Sequence, residues 1–133
     1  MQGTPAKGKE LFLNLCSSCH RLDQTGQALG PDLYGIRNQA KESILLHIAD
    51  PNREITSGFE GVEWTTSGET FVGLLAFDNG DQIGMHLPSG INLTFQRNQG
   101  ALRNLGLSLM PEGILNALTH QQVADLLAYL RGE

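Results

Sequence analysis

Two cysteines and a histidine stand together near the amino terminus, in the run Cys16-Ser17-Ser18-Cys19-His20. Two thiols separated by two residues at a helix end can add to the two vinyl groups on one edge of a porphyrin, and the adjacent imidazole then reaches the iron. The spacing therefore predicts one haem c, bound covalently through Cys16 and Cys19, with His20 as an axial iron ligand.

Other chemistry is possible for such a pair of thiols. A redox dithiol of the thioredoxin type would need a βαβ setting, and the pattern before Cys16 is that of a helix. The chain has two cysteines in all, which excludes a disulfide framework and a four-cysteine zinc site.

A second axial ligand must come from far along the chain, where methionines and histidines are the candidates. Met110 stands in a loop before Pro111, whereas Met85 alternates within a strand, where methionine usually fills a core. His86 is the strongest rival ligand. The other two histidines are His47, expected to be packed or half-exposed on a helix, and His120, expected at the surface.

The composition of the chain limits the class of partner that it is expected to bind. The 133 residues carry a net charge of −5 with scattered Lys and Arg, so no basic patch favours nucleic acid or anionic lipid. No apolar stretch approaches membrane-spanning length, and the first five residues have no apolar signal core. Because haem of this type is normally attached outside the cytoplasm, we expect a mature fragment, with Met1 added or retained, or a domain cut from a longer chain.

Hydrophobic periodicity predicts three helices. The first begins with Thr4 as N-cap and leads into Cys16, and the second covers about Gln39 to Asp50, ended by Pro51. The third follows a capping box of Thr119 and Gln122. Its apolar stripe consists of Val123, Leu126, Leu127 and Leu130.

The segment from Phe59 to Arg97 is different. It is rich in β-branched and aromatic residues and is broken by turn signals, which predicts an antiparallel meander of three or four strands. We expect it to pack near a ring edge, through Trp64, and to supply no iron ligand. The remainder up to the last helix is predicted to be loop with short helical pieces.

With these motifs in place, the chain resembles a small cytochrome c. The run Gly30-Pro31-Asp32-Leu33 matches the segment whose proline carbonyl, in that family, accepts a hydrogen bond from the proximal histidine. Met110 stands where the family presents its distal methionine. The resemblance also implies that the first and last helices cross, with Gly8 and Phe12 on one and Tyr129 on the other.

Three further residues are candidates to hydrogen-bond the haem propionates: Arg37, Arg53 and Trp64. For each of them the plain alternative, a solvated arginine or a core tryptophan, is equally good. The predicted fold is mainly α: a small cytochrome c fold with the β-meander inserted between the haem motif and the methionine loop. It forms one haem domain made of residues 1–58, 59–97 and 98–133.

A narrower resemblance covers nearly the whole chain. The motifs already named, with Ile48-Ala49-Asp50-Pro51-Asn52 and the run from Ser108 to Gly113, are similar to the C-terminal haem-binding domain of large planctomycete and verrucomicrobial proteins. Those proteins are described as membrane-bound or sugar-type dehydrogenases. The resemblance implies a periplasmic or otherwise extracytoplasmic electron carrier, with a dehydrogenase as donor and a downstream acceptor protein.

The expected function is therefore one-electron transfer with His20 and Met110 as iron ligands, and no catalytic residues of its own. Two alternatives stay open. A sensor of small gases, or a peroxidase, would require the distal methionine to leave. A passive module, in which the sheet docks the haem unit onto an enzyme, is compatible with electron transfer.

Overall fold

Helices at both ends of the chain enclose a long β segment. The computed structural model describes residues 2–55 and 57–133. Its α-helices are α1 (Pro5–Leu15), α2 (Lys41–Ala49) and α3 (His120–Leu130). Its strands are β1 (Arg21–Leu22), β2 (Thr25–Gly26), β3 (Glu60–Thr66), β4 (Glu69–Asp78), β5 (Gln82–Leu87), β6 (Ile91–Gln96) and β7 (Ala101–Ser108).

The prediction of a mainly α fold is wrong. The chain is 34% helical, short 3-10 helices included, and 31% strand, and its main sheet has five antiparallel strands in the order β6-β5-β4-β3-β7. Strands β3 to β6 are the meander predicted between Phe59 and Arg97. The fifth, β7, lies in the segment predicted as loop and pairs with β3, because the outer backbone groups of β3 need partners. This pairing joins strands that are about forty residues apart in the sequence, so no short stretch of sequence predicts it.

The predicted crossing of α1 and α3 is present. A Cβ on Gly8 would stand 1.9 Å from the Asp125 carbonyl oxygen, so the two backbones touch at this glycine. One turn on, the rings of Phe12 and Tyr129 lie 5.5 Å apart between centroids. Glycine is therefore required here for close approach, although it costs helix stability elsewhere.

The helix ends follow the sequence signals. Thr119 and Gln122 form the predicted capping box at the start of α3, and Pro5 opens α1 after Thr4. The three helices share one core, with Phe12, Ile44 and Leu126 among its buried side chains. In the described ranges, no helix is both long and apolar enough to cross a membrane.

The sheet has a core of its own. Val62, Trp64, Ile83 and Met85 are buried there, and Phe71, Leu87, Phe95 and Leu102 pack against them. The register of β4 against β5 shifts between Leu75 and Phe77, an irregularity of the kind that bends a strand.

Two hydrogen bonds from backbone amides at strand ends attach the sheet to the helical part. The Ser89 amide, after β5, donates to the Ser18 carbonyl inside the haem motif at 2.9 Å. At the end of β7, the Ser108 amide donates to Oδ1 of Asn52 at 2.7 Å. The sheet is thus held at both sides of the region that the sequence marks for haem.

Asp125 fastens the crossing and should make it sensitive to acid. Its carboxylate accepts from the Thr4 amide at 2.8 Å and from the Gln121 side chain at 2.9 Å, and these bonds hold its pKa below the ordinary value. A lowered folded-state pKa gives stability that is present above the unfolded pKa, about 3.9, and is lost as pH falls through the folded value. At pH values below about 4, the melting temperature of the unchanged protein should therefore decrease, and so should the difference between it and the melting temperature of Asp125→Asn. Asp81→Asn, at an exposed site, is the control. A difference that does not vary with pH would contradict the role of Asp125.

Candidate haem site

The haem motif follows directly from the end of α1. The Cys16 amide donates to the Phe12 carbonyl, and the amides of Cys19 and His20 both donate to the Cys16 carbonyl, at 3.1 and 2.8 Å. This tight turn brings both sulfurs and the imidazole to the wall of one cleft. Consecutive turns at a helix end are what two attachments to one porphyrin edge require.

The Cys16 thiol does not resemble the reactive thiol of a redox pair. Burial, with a smaller contribution from Cys19, raises the pKa of Cys16 to about 11. Reactive dithiols instead have lowered pKa values, because the thiolate is the nucleophile. The raised pKa of Cys16 argues against a role as the reactive thiol of a disulfide exchange.

His20 is anchored as a ligand should be. Its Nδ1 donates to the Pro31 carbonyl at 2.7 Å, which fixes the tautomer and leaves Nε2 as the nitrogen with a free lone pair. Burial lowers the pKa of His20, opposed by the bond to Pro31, so the ring is held neutral, the form that binds metal. A Cβ on Gly30 would stand 2.8 Å from Cε1 of the ring, so a glycine is needed where the backbone passes it.

Met110 lies on the same cleft in a loop fixed at both ends by one side chain. Asn52 accepts from the Ser108 amide through Oδ1, and its Nδ2 donates to Oε1 of Glu112 at 2.9 Å. The Met110 amide donates to the Ser108 hydroxyl at 3.1 Å. Asn52 thus holds the loop in place on either side of the methionine.

The cleft is mostly apolar and is open to solvent. Its protein donors are the two thiols, the imidazole of His20, the thioether of Met110, His47 and the Glu54 carboxylate. Among the described residues, no three His, Cys, Asp or Glu side chains cluster into a metal site. This donor set fits a haem, whose porphyrin supplies four iron ligands of its own and needs one or two from the protein. The other lining residues include Leu15, Leu29, Pro31, Pro51, Ile55, Phe59, Leu74, Leu109 and Ile114.

The three predicted propionate contacts, Arg37, Arg53 and Trp64, are not among the residues that line the cleft. Trp64 is fully buried in the core of the sheet, stacked on Phe95 at 5.4 Å between ring centroids. Arg37 forms an ion pair with Asp23 and lies over the ring of Tyr34 at 4.7 Å. Neither side chain lines the cleft. The sheet reaches it through Leu74, 5% exposed, where we expected Trp64.

The histidines divide differently from the expectation. His86 is exposed on β5, bonded to Asn92 outside the cleft, and His120 is exposed in the first turn of α3. His47 instead lines the cleft with His20. The sequence did not lead us to expect His47 at the cleft. Its place three residues after Ile44 and four before Pro51 nevertheless puts it on the inner side of α2. Met85 is buried in the sheet, and Met1 lies outside the described residues.

The family model described as Cytochrome c matches residues 5–72, from the start of α1 into β4. A protein of Theileria annulata named "Cytochrome c" is 31% identical over 65 residues, which are 48% of this chain and 52% of that protein. The chain thus spans about half the length of this curated relative. The family match contains the haem motif and Pro31 but ends before Met110.

Proposed function

Because the chain belongs to the cytochrome c family, whose members bind covalent haem c with iron, we propose that it is an electron carrier with His20 and Met110 as the two axial ligands. The family favours electron transfer by a haem over an enzymatic reaction. The observation that best supports the ligand pair is that Cys16, Cys19, His20 and Met110 line one cleft.

Each of these residues has one task. Cys16 and Cys19 would hold the group as thioethers, His20 would bind through Nε2, and Met110 through its sulfur. When bound, haem iron supplies a one-electron couple between its ferrous and ferric states, and a thioether ligand favours the ferrous one. Arg37 and Trp64 are not included, because they lie outside the cleft.

The surrounding residues would limit the access of water to a bound haem and hold its ligands in place. Leu29, Leu74 and Ile114 contribute apolar surface that would cover the ring. The Pro31 carbonyl fixes one ligand and Asn52 the loop of the other. Fixed ligands in a water-poor site need little rearrangement when the charge changes, which suits a carrier.

The sheet and the partners belong to the same proposal. We propose that the chain works outside the cytoplasm as one haem domain, taking electrons from a dehydrogenase and passing them to an acceptor protein. The resemblance to haem domains of multidomain dehydrogenases supports this, as does the fastening of the sheet to the haem motif between Ser89 and Ser18. The sheet would then be the part that docks the haem unit onto its enzyme.

A direct test combines extraction with redox titration. In acidified organic solvent the pigment should stay with the protein, whose mass should exceed that of the chain by one haem. Cys16→Ser or Cys19→Ser alone should keep the pigment through the remaining thioether, and the double variant should release it. The intact protein should titrate as a single one-electron couple. Clean extraction from the unchanged protein would refute covalent attachment.

A further inference from the structure

His47 is the second imidazole on the cleft wall. In the part of the chain that the structure describes, His47 and His20 are the two histidines that line the cleft, and Met110 lines it with them. Its helix is anchored in the helical core, where Ile44 and Ile48 are 2% and 8% exposed. The core thus fixes the helix that carries His47 beside the cleft.

The ring of His47 is held through the same nitrogen as that of His20. Its Nδ1 donates to the Ser43 carbonyl at 2.8 Å, as Nδ1 of His20 donates to the Pro31 carbonyl at 2.7 Å. Both bonds use Nδ1 as the donor, so Nε2 is the nitrogen that each ring would offer to a metal.

Little holds Nε2 of His47 in another interaction. Its nearest carboxylate oxygen is Oε2 of Glu54 at 3.5 Å, beyond ordinary hydrogen-bond length, and the Glu54 side chain is 77% exposed. Exposed pairs of this kind contribute little, because water screens them. The Glu54 carboxylate thus offers little competition for Nε2 of His47, whose side chain is 46% exposed.

We propose that His47 is a reserve axial ligand, which binds through Nε2 when Met110 leaves. The inference rests on the proposed function, since it presupposes a haem held by His20 and Met110. In the exchange the bond between the Met110 sulfur and the iron would break, and a bond between Nε2 of His47 and the iron would form. The proton stays on Nδ1, and no electron is transferred. The site then remains closed to outside ligands even when the methionine loop opens.

The test is to remove Met110 and ask which histidine replaces it. The holoprotein with Met110→Ala should be low-spin with a bis-histidine spectrum, and its reduced form should bind carbon monoxide slowly. Adding His47→Leu should give a high-spin centre that binds carbon monoxide at least about tenfold faster, because the competing ligand is gone. Free imidazole should restore the low-spin spectrum to this double variant.

His86→Leu in the Met110→Ala background is the matched control, because His86 lies outside the cleft; it should leave the low-spin spectrum unchanged. If Met110→Ala is already high-spin and open, or if His86→Leu abolishes its low-spin spectrum, the reserve role is refuted. The assignment of His20 and Met110 as iron ligands is tested separately, on the unchanged protein. A methionine signature there that disappears in Met110→Ala supports the proposed function whichever way His47 behaves.

Discussion

Replacing Met110 with alanine should lower the reduction potential by something on the order of 100 mV, given the range that axial ligands control. The thioether stabilises the ferrous state, and neither water nor an imidazole does so equally well. The weak far-red charge-transfer band of the ferric protein should disappear at the same time. A potentiometric titration followed by visible spectroscopy measures both effects.

Met85→Leu is the control for this substitution. Met85 is 1% exposed in the core of the sheet, so the change alters a buried methionine without touching the cleft. It should leave the band and the potential as they are. A bis-histidine spectrum in the unchanged protein, abolished by His86→Ala, would overturn the assignment of Met110.

The largest loss of stability should come from Gly8→Val. The new Cβ would stand 1.9 Å from the Asp125 carbonyl oxygen and 2.8 Å from Cβ of Tyr129, so α1 and α3 must move apart. Overpacking of this kind costs about 3 kcal/mol in the free energy of unfolding. Thermal melting of the holoprotein should show a decrease of roughly 10 °C.

Gly35→Ala is the comparison, because a Cβ at Gly35 meets nothing within 4 Å. It should melt within a few degrees of the unchanged protein. If Gly8→Val melts no lower than Gly35→Ala, the two helices do not cross as closely as described.

Local patterns predicted much of the site and of the helical part. The spacing from Cys16 to His20 and the capping box at Thr119 are chemical or geometric requirements within a few residues, and such requirements are visible in a sequence. The same is true of the turns between the first four strands of the sheet. The bond from His20 to the Pro31 carbonyl and the crossing at Gly8 came from the resemblance to cytochrome c, and both are present.

Features that depend on distant pairing could not be predicted. β7 was missed because its partner, β3, lies about forty residues earlier. Trp64 was expected at the haem, but the sheet bends around its own apolar side chains and encloses this ring. His86 was preferred to His47 because strand and helix patterns do not tell which element faces the cleft.

Binding of carbon monoxide to the reduced holoprotein tests the central claim most directly. If His20 and Met110 occupy both axial positions, carbon monoxide should bind slowly or hardly at all near neutral pH, while small redox mediators exchange electrons quickly. Asn52→Ala, which frees both ends of the methionine loop, combined with His47→Leu, which removes the reserve ligand, should bind carbon monoxide faster and so show that the assay detects opening. Rapid, stoichiometric binding to the unchanged protein would contradict the carrier and indicate a gas sensor or an enzyme.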